Sequence, residues 1–416
     1  MPAYVTLTPP PPWRRLPVGR SLLPALTSQL PVSGVTSMVK LFSIRQGHGR
    51  LRSVALITLC CLFTLSSAFA AGDKAITGEP LWIFDANLDV QHLDTADLTG
   101  DLVADIIAAE RDNDYYGELS RVWAINGVDG DTIWQYVVND AIRDMAVGDI
   151  NGDGVADVAV AASYNASSTP DGRVHAIDGA TGTNMWYFPT GATNQSVVIA
   201  DINGGTHMDV VASSFDDNVY AIDGQTGAQI WAEDLGSLWV NDVAAADVNS
   251  DGVDDIAYAH EYLTGFTNRQ GILDGATGDP IWDSTGTFVN LDVLIEDIDD
   301  DGQLEACFAA ISDNDKGWII VRDALTGARE WDYDLGGIDH VNGLISLFTR
   351  DIDLDGDIDL LVGNYLGWYQ VIAFDGEDGA PFFTSETLDG FPRHLSFGDV
   401  TGEGDLDIIA ATYDRV

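Results

Sequence analysis

An all-β chain, a seven-bladed β-propeller of four-stranded antiparallel blades, is what this sequence predicts. Three observations carry the prediction. An acidic loop recurs about every fifty residues, a tight turn leading to an aromatic residue recurs on the same beat, and the runs between them have strand composition.

The chain of 416 residues does not all belong to that repeat. Residues 1–37 are rich in Pro, Ser and Thr, carry no acid, and read as a disordered upstream extension foreign to the native chain. From Met38 the pattern changes. Lys40, Arg45, Arg50 and Arg52 precede an apolar run from Val54 to Leu65, and Ala68-Phe69-Ala70 then places small residues where a signal peptidase reads. That order describes a secretory signal peptide over 38–70. The apolar run is shorter than the ~20 residues a membrane span needs, so no membrane insertion is expected after cleavage. The propeller is assigned to 71–416, secreted or held at a cell surface.

Charge narrows the partners. The formal charge of −47 becomes −54 once residues 1–70 leave, because all seven basic residues there (Arg14, Arg15, Arg20, Lys40, Arg45, Arg50 and Arg52) go and no Asp or Glu does. Such a surface repels nucleic acid and anionic membranes, and an extracellular protein or glycan is the expected partner. Self-repulsion also predicts a need for cations. After cleavage Cys307 is the one remaining cysteine, within the apolar run Ala306 to Ala310. It reads as a small buried hydrophobe, so stability must come from packing and metal ions.

The acidic loop carries oxygen donors at positions 1, 3, 5 and 9 and follows an apolar strand. Three copies are complete: Asp149, Asn151, Asp153, Asp157; Asp247, Asn249, Asp251, Asp255; and Asp351, Asp353, Asp355, Asp359. A fourth, Asp297, Asp299, Asp301, Glu305, ends in Glu. Three are degenerate: Asp97, Thr99, Asp101, Asp105 lack the position-6 glycine; Asp201, Asn203, Asp209 have Gly205 where position 5 needs an oxygen; Asp399, Thr401, Glu403, Asp407 have a longer acid at position 5. The starts lie 52, 52, 46, 50, 54 and 48 residues apart. Odd-numbered side chains converge as the backbone coils round one point, and oxygen-only donors at short range suit a hard cation such as Ca²⁺.

The second motif reads Asp178-Gly-x-Thr-Gly-x-x-x-Trp186, and recurs to Trp231 and Trp282. Looser copies end at Trp134, Trp331 and Phe383, and a shortened one at Trp82. Asp and Thr hydrogen-bond the turn amides while the glycines take positive φ. The aromatic then fills the wedge between neighbouring blades; regular spacing favours this structural role over a sugar-stacking platform. Short runs such as Val197–Ala200, Val210–Ser213, Val219–Ile222 and Ile230–Ala232 supply four strands per unit. A β-solenoid is the competing architecture, but its rungs would be shorter.

The acidic loops resemble the FG-GAP/VCBS repeats of integrin-type propellers, and the turn-plus-Trp units resemble the repeats of quinoprotein (PQQ-like) propellers. Together the two resemblances cover nearly all of 77–416. They imply that Trp82 lies on the outermost strand of a blade and that each acidic loop joins a first strand to a second. On that register 395–400 and 406–412 supply first and second strands, and the third stops short at Asp414-Arg415-Val416. The chain then reads as part of a longer protein, truncated in its closing blade, with eight blades possible at full length.

Two functions follow as expectations. The first is a non-catalytic interaction or adhesion module rigidified by several Ca²⁺ ions. The second is a propeller enzyme, quinoprotein dehydrogenase-like or polysaccharide lyase-like, with its site at the channel mouth. The quinoprotein chemistry lacks its adjacent cysteines in 71–416, since Cys60 and Cys61 leave with the signal peptide, and a polyanionic substrate suits a −54 chain poorly. One pattern bears on a channel. Five residues before each loop stand His92, Asp144, Ser196, Asp242, Asp292, Ser346 and His394, all polar, followed by Leu93, Met145, Val197, Val243, Val293, Leu347 and Leu395, all apolar. If the first strand is innermost, the polar set rims the channel. His92, His394 and Asp144 would then stand close enough to hold a transition metal, to bind a hydroxylated ligand, or simply to face water.

Overall fold

The computed structural model describes residues 38–43, 54–58, 82, 84 and 86, and 89–413 apart from 112–119, 165–170, 237–238, 262–267, 287, 313–315, 338–344, 365–368, 389–390 and 399–406. Its regular structure is strand throughout. Among the described residues no helix is long and apolar enough to cross a membrane.

Six consecutive four-stranded antiparallel sheets form propeller-like blades, over 89–138, 141–190, 194–234, 239–286, 289–337 and 345–384, each strand pairing with the next in sequence. The second blade shows the pattern, with strands Ala141–Gly148, Asp157–Tyr164, Asp171–Ile177 and Asn184–Thr190. First strands pack on first strands of the neighbouring blades and are therefore innermost.

The core lies between blades. Side chains alternate across a strand, and in Asp157–Tyr164 the two faces join different clusters. Val158, Val160 and Ala162 pack with Ile107, Ala109, Val122 and Ala124 of the first blade. Ala159 and Ala161 pack with Val197, Val210 and Ala212 of the third. Both faces are buried, which is why these second strands read as small and β-branched residues without a polar alternation. Cys307 is buried in the same way between the fifth and sixth blades.

The aromatic motif locks each interface. Trp134, at the outer edge of the first blade, donates its indole N–H to the Gly179 carbonyl at 2.6 Å, and Trp186, Trp231, Trp282 and Trp331 repeat the bond to Gly224, Gly275, Ala324 and Gly376. Gly182 has φ +67° and lies flat under the Trp134 ring, where a β-carbon would meet the indole at 2.6 Å. Trp82 corrects one expectation. It belongs to no strand, yet its indole occupies the same slot, 3.0 Å from the Gly127 carbonyl.

A seventh four-stranded sheet differs in origin. Phe391–Gly398 pairs with Asp407–Tyr413, which pairs with Met38–Ser43, which pairs with Val54–Thr58. The sequence expectation left 38–70 out of the fold and placed an unfinished third strand at Asp414-Arg415-Val416; those three residues lie outside the described set. Asp407–Tyr413 thus has a hydrogen-bonded partner on both edges. Leu395 and Ile408 of this sheet pack against Leu361, Val371 and Ala373 of the sixth blade.

Candidate functional site

Every acidic loop with described ends joins a first strand to a second, and its position-9 acid is the first residue of that second strand: Asp105, Asp157, Asp209, Asp255, Glu305 and Asp359. The loops are held open by their own carboxylates. Asp149 accepts the amides of Gly152, Asp153 and Gly154, Asn151 accepts that of Asp153, and Asp153 that of Val155. Asp247, Asn249 and Asp251 repeat the scheme. Asp97 and Asp101 do the same without the position-6 glycine, and Leu102 takes φ +66° in its place while 92% exposed. Position 4 is also left-handed, at Gly100, Gly152, Gly204, Ser250, Asp300 and Leu354.

Position 9 has a second role that reading the loop alone does not reveal. Asp157 is fully buried; one carboxylate oxygen accepts the Ile150 and Asn151 amides and the other accepts Gly179 N at 2.8 Å. Gly179 is the residue whose carbonyl holds Trp134. The acid, the turn and the preceding blade's indole thus form one hydrogen-bonded chain. Asp105, Asp209 and Asp255 grip Gly127, Gly224 and Gly275 in the same way. Burial is the main force on these carboxyls and pushes Asp157, Asp209 and Asp255 up to about 6.

The fifth blade departs from this. Its turn has Ala324 where the others have glycine, and the Ala324 amide bonds the Leu304 carbonyl at 2.7 Å. Glu305 keeps only the Ile298 amide, and burial raises its carboxyl to about 8. Glu305 joins Asp297 and Asp299 in a group whose oxygens lie within 4.8 Å of one another, as do Asp351, Asp353 and Asp355 in the sixth blade. Asp297 Oδ1 and Asp351 Oδ1 are buried without a hydrogen-bond partner. An orphaned buried carboxylate oxygen is costly, and an all-oxygen cluster around one fits a hard cation. Asp301 and Asp355 stay exposed at the loop tips, capping the amides of Gln303 and Asp357, while Asp359 turns to the Ile352 amide. Asp399, Thr401 and Glu403 lie outside the described residues, and Asp407 is described by its backbone alone.

The rim residues stand on the innermost strands, and the reason they are polar is visible. A β-bulge precedes His92, Asp144, Asp242, Asp292 and His394, and another spans Ser196. A bulge re-aims the side chain that follows it. Each Asp then reaches the next blade: Asp144 accepts Val197 N, Asp242 accepts Val293 N and Asp292 accepts Leu347 N, each at 2.9 Å. His92 Nε2 lies 2.9 Å from the Arg143 carbonyl and Nδ1 3.5 Å from Asp144. These side chains staple one inner strand to the next. Ser346 sits on an unbulged strand, and the His394 side chain is outside the described set. Asp242 is raised well above the usual carboxylate range by burial and by the charge of Asp292.

Sequence comparison matches the chain to the family described as outer membrane protein assembly factor BamB, over residues 72–284 and again over 120–385. No curated protein matches it. Among solved structures it resembles the Dos1 propeller at 13% identity and a TM-score of 0.52, over 77% of each chain. BBS1N in complex with ARL6DN is similar at 12% identity and a TM-score of 0.50, over 80% of this chain and 95% of that one. BamB from Moraxella catarrhalis matches at 15% identity and a TM-score of 0.39, over 78% of this chain and all of its own. The first two similarities are similarities of fold.

Proposed function

We propose, from the premise that this chain belongs to the BamB family of PQQ-like repeat propellers, that it is a secreted or surface-held, seven-bladed, calcium-stabilised interaction module. The observation that carries the calcium reading is the pair of buried, unpartnered oxygens Asp297 Oδ1 and Asp351 Oδ1 inside all-oxygen clusters. Loops of FG-GAP/VCBS type then hold Ca²⁺ through Asp297, Asp299 and Glu305 in the fifth blade and Asp351, Asp353 and Asp355 in the sixth. The loops of the first, second and fourth blades are occupied less tightly, because Asp105, Asp157 and Asp255 at position 9 already spend both carboxylate oxygens on backbone amides. Calcium also offsets the repulsion of a chain carrying −47.

The family description, an assembly factor, accords with a role in holding a partner rather than transforming it. An extracellular protein or glycan is the partner class that a strongly acidic propeller admits. A second reading rests on Asp242 and Asp292. Two carboxyls raised above their ordinary range, on the innermost strands of adjacent blades, have the makings of an acid–base pair for a small or sugar-like substrate. Turnover of a glycan panel, lost in Asp242→Asn, would establish it.

The calcium reading is tested by melting. Native-only binding stabilises by RT ln(1 + [L]/Kd), roughly 2.7 kcal/mol per site at a hundredfold excess over Kd. Two sites predict a midpoint several degrees higher in millimolar Ca²⁺ than in EGTA. Equal midpoints would remove calcium from the account.

A further inference from the structure

The third blade breaks the pattern of its neighbours at one place. Position 7 of the acidic loop is Val103, Val155 and Val253 in the first, second and fourth blades, and Val155 and Val253 pack against the inter-blade core. In the third blade position 7 is His207. Its ring sits between the start of the second strand and the turn that follows the third. Nε2 lies 3.9 Å from Asp209 Oδ1 and 3.8 Å from Asp223 Oδ2, with the imidazole 16% exposed. Neither separation is a hydrogen bond.

Two buried atoms at this place have no partner. His207 Nε2 makes no hydrogen bond, and neither does Asp209 Oδ2, on a residue that is fully buried. In the second blade the equivalent oxygen of Asp157 accepts two loop amides. A buried nitrogen and a buried carboxylate oxygen left unmatched are costly, which asks for an occupant.

We infer that His207, Asp209 and Asp223 form a binding site for a divalent transition metal, zinc foremost. One imidazole nitrogen and two carboxylates are a known donor mix for zinc, with water completing a tetrahedron. Calcium instead takes six to eight oxygens, and this loop has Gly205 at position 5 and a nitrogen at position 7. The carboxylates are oriented from behind, as metal ligands commonly are. Asp223 Oδ1 accepts both the amide and hydroxyl of Thr226, at 2.7 and 2.6 Å, and Asp209 Oδ1 accepts Gly224 N. Bonds of ~2.0–2.1 Å hold tetrahedral donors about 3.3 Å apart, so the ring needs to approach each carboxylate by roughly half an ångström from its present 3.8 and 3.9 Å. Gly152 of the neighbouring loop backs the His207 β-carbon. The site is independent of the calcium reading, since it uses no residue of the fifth or sixth loop.

The test titrates the metal-stripped full chain with Zn²⁺ against a chromophoric competitor, in millimolar Ca²⁺ so that oxygen-only loops are filled. Wild type is compared with His207→Ala, and with His92→Ala as a control for the channel rim. The expected result is one tight zinc equivalent in wild type and His92→Ala, weakened at least tenfold in His207→Ala. Co²⁺ should give visible d–d absorption that the same variant loses. Should His207→Ala fail to fold, Asp223→Asn, which keeps Oδ1 for Thr226, is expected to weaken zinc in the same direction. Equal zinc affinity in wild type and the site variant, or no binding at micromolar zinc, overturns the inference.

Discussion

The loops of the second and fifth blades share a spacing and differ in use. Asp157 gives both carboxylate oxygens to amides, and through Gly179 it anchors the Trp134 indole of the preceding blade. Glu305, one methylene longer and opposite Ala324, leaves the turn to the Leu304 carbonyl and turns toward Asp297 and Asp299. A position-9 acid is therefore first a joint between blades. It becomes available to an ion where the turn is held by other means.

The largest expected effect breaks the joint. Asp157→Ala strands the amides of Gly179, Ile150 and Asn151 in a buried place, and should cost about 3 kcal/mol at ~1 kcal/mol or more for each unmatched donor. Urea unfolding in EGTA measures it. The loss should be the same with calcium present; a loss that appears only with calcium would make Asp157 a ligand rather than a joint.

Trp134→Phe is a smaller version of the same cut. It keeps most of the ring packing and removes the indole N–H that reaches the Gly179 carbonyl at 2.6 Å. The expected cost is about 1 kcal/mol in the urea midpoint, and the sixth blade, with Phe383, already lives without that donor. No change would mean that packing alone holds the wedge.

Asp242 sharpens the comparison by pH. Its folded carboxyl is raised well above the ordinary value of ~4 by burial and by Asp292, with the Ser196 hydroxyl and the Val293 amide favouring the charged form. The folded chain holds this proton more tightly than the unfolded one. The stabilisation is thus complete below the ordinary value and is lost as pH rises through the folded one. Asp242→Asn should flatten that fall and raise the urea midpoint at pH 8 relative to pH 5. Parallel pH curves for wild type and variant would contradict a raised Asp242 carboxyl.

Leu102 offers the smallest effect. It holds φ +66° without being a glycine, in open solvent. Leu102→Gly should stabilise by about 0.5–1 kcal/mol, as a left-handed L-residue costs roughly 1–2 kcal/mol and glycine returns part of that as chain entropy. A destabilised variant would mean that the Leu102 side chain has a contact that its 92% exposure conceals.

Much of the fold was legible because its signals are local. The loop spacing marks where each second strand begins, and the turn-to-Trp spacing marks where each wedge falls. Relations across blades were not legible. The bond from Asp157 to Gly179 spans 22 residues and that from Trp134 to Gly179 spans 45, and neither partner announces the other in sequence. The polar residue five before each loop was visible, but not the bulge that aims it at the next blade. His207 stands outside the spacing of positions 1, 3, 5 and 9, and an EF-hand-like scheme gives its position 7 to a backbone carbonyl. Asp223 belongs to the other motif altogether.

Calcium stoichiometry tests the account most directly. Equilibrium dialysis at millimolar free Ca²⁺ would compare wild type with the double variant Asp297→Ala/Glu305→Gln, and with Asp157→Asn. The account predicts one calcium equivalent fewer in the double variant and an unchanged count in Asp157→Asn. The same count in the double variant as in wild type, or a loss in Asp157→Asn alone, would contradict it.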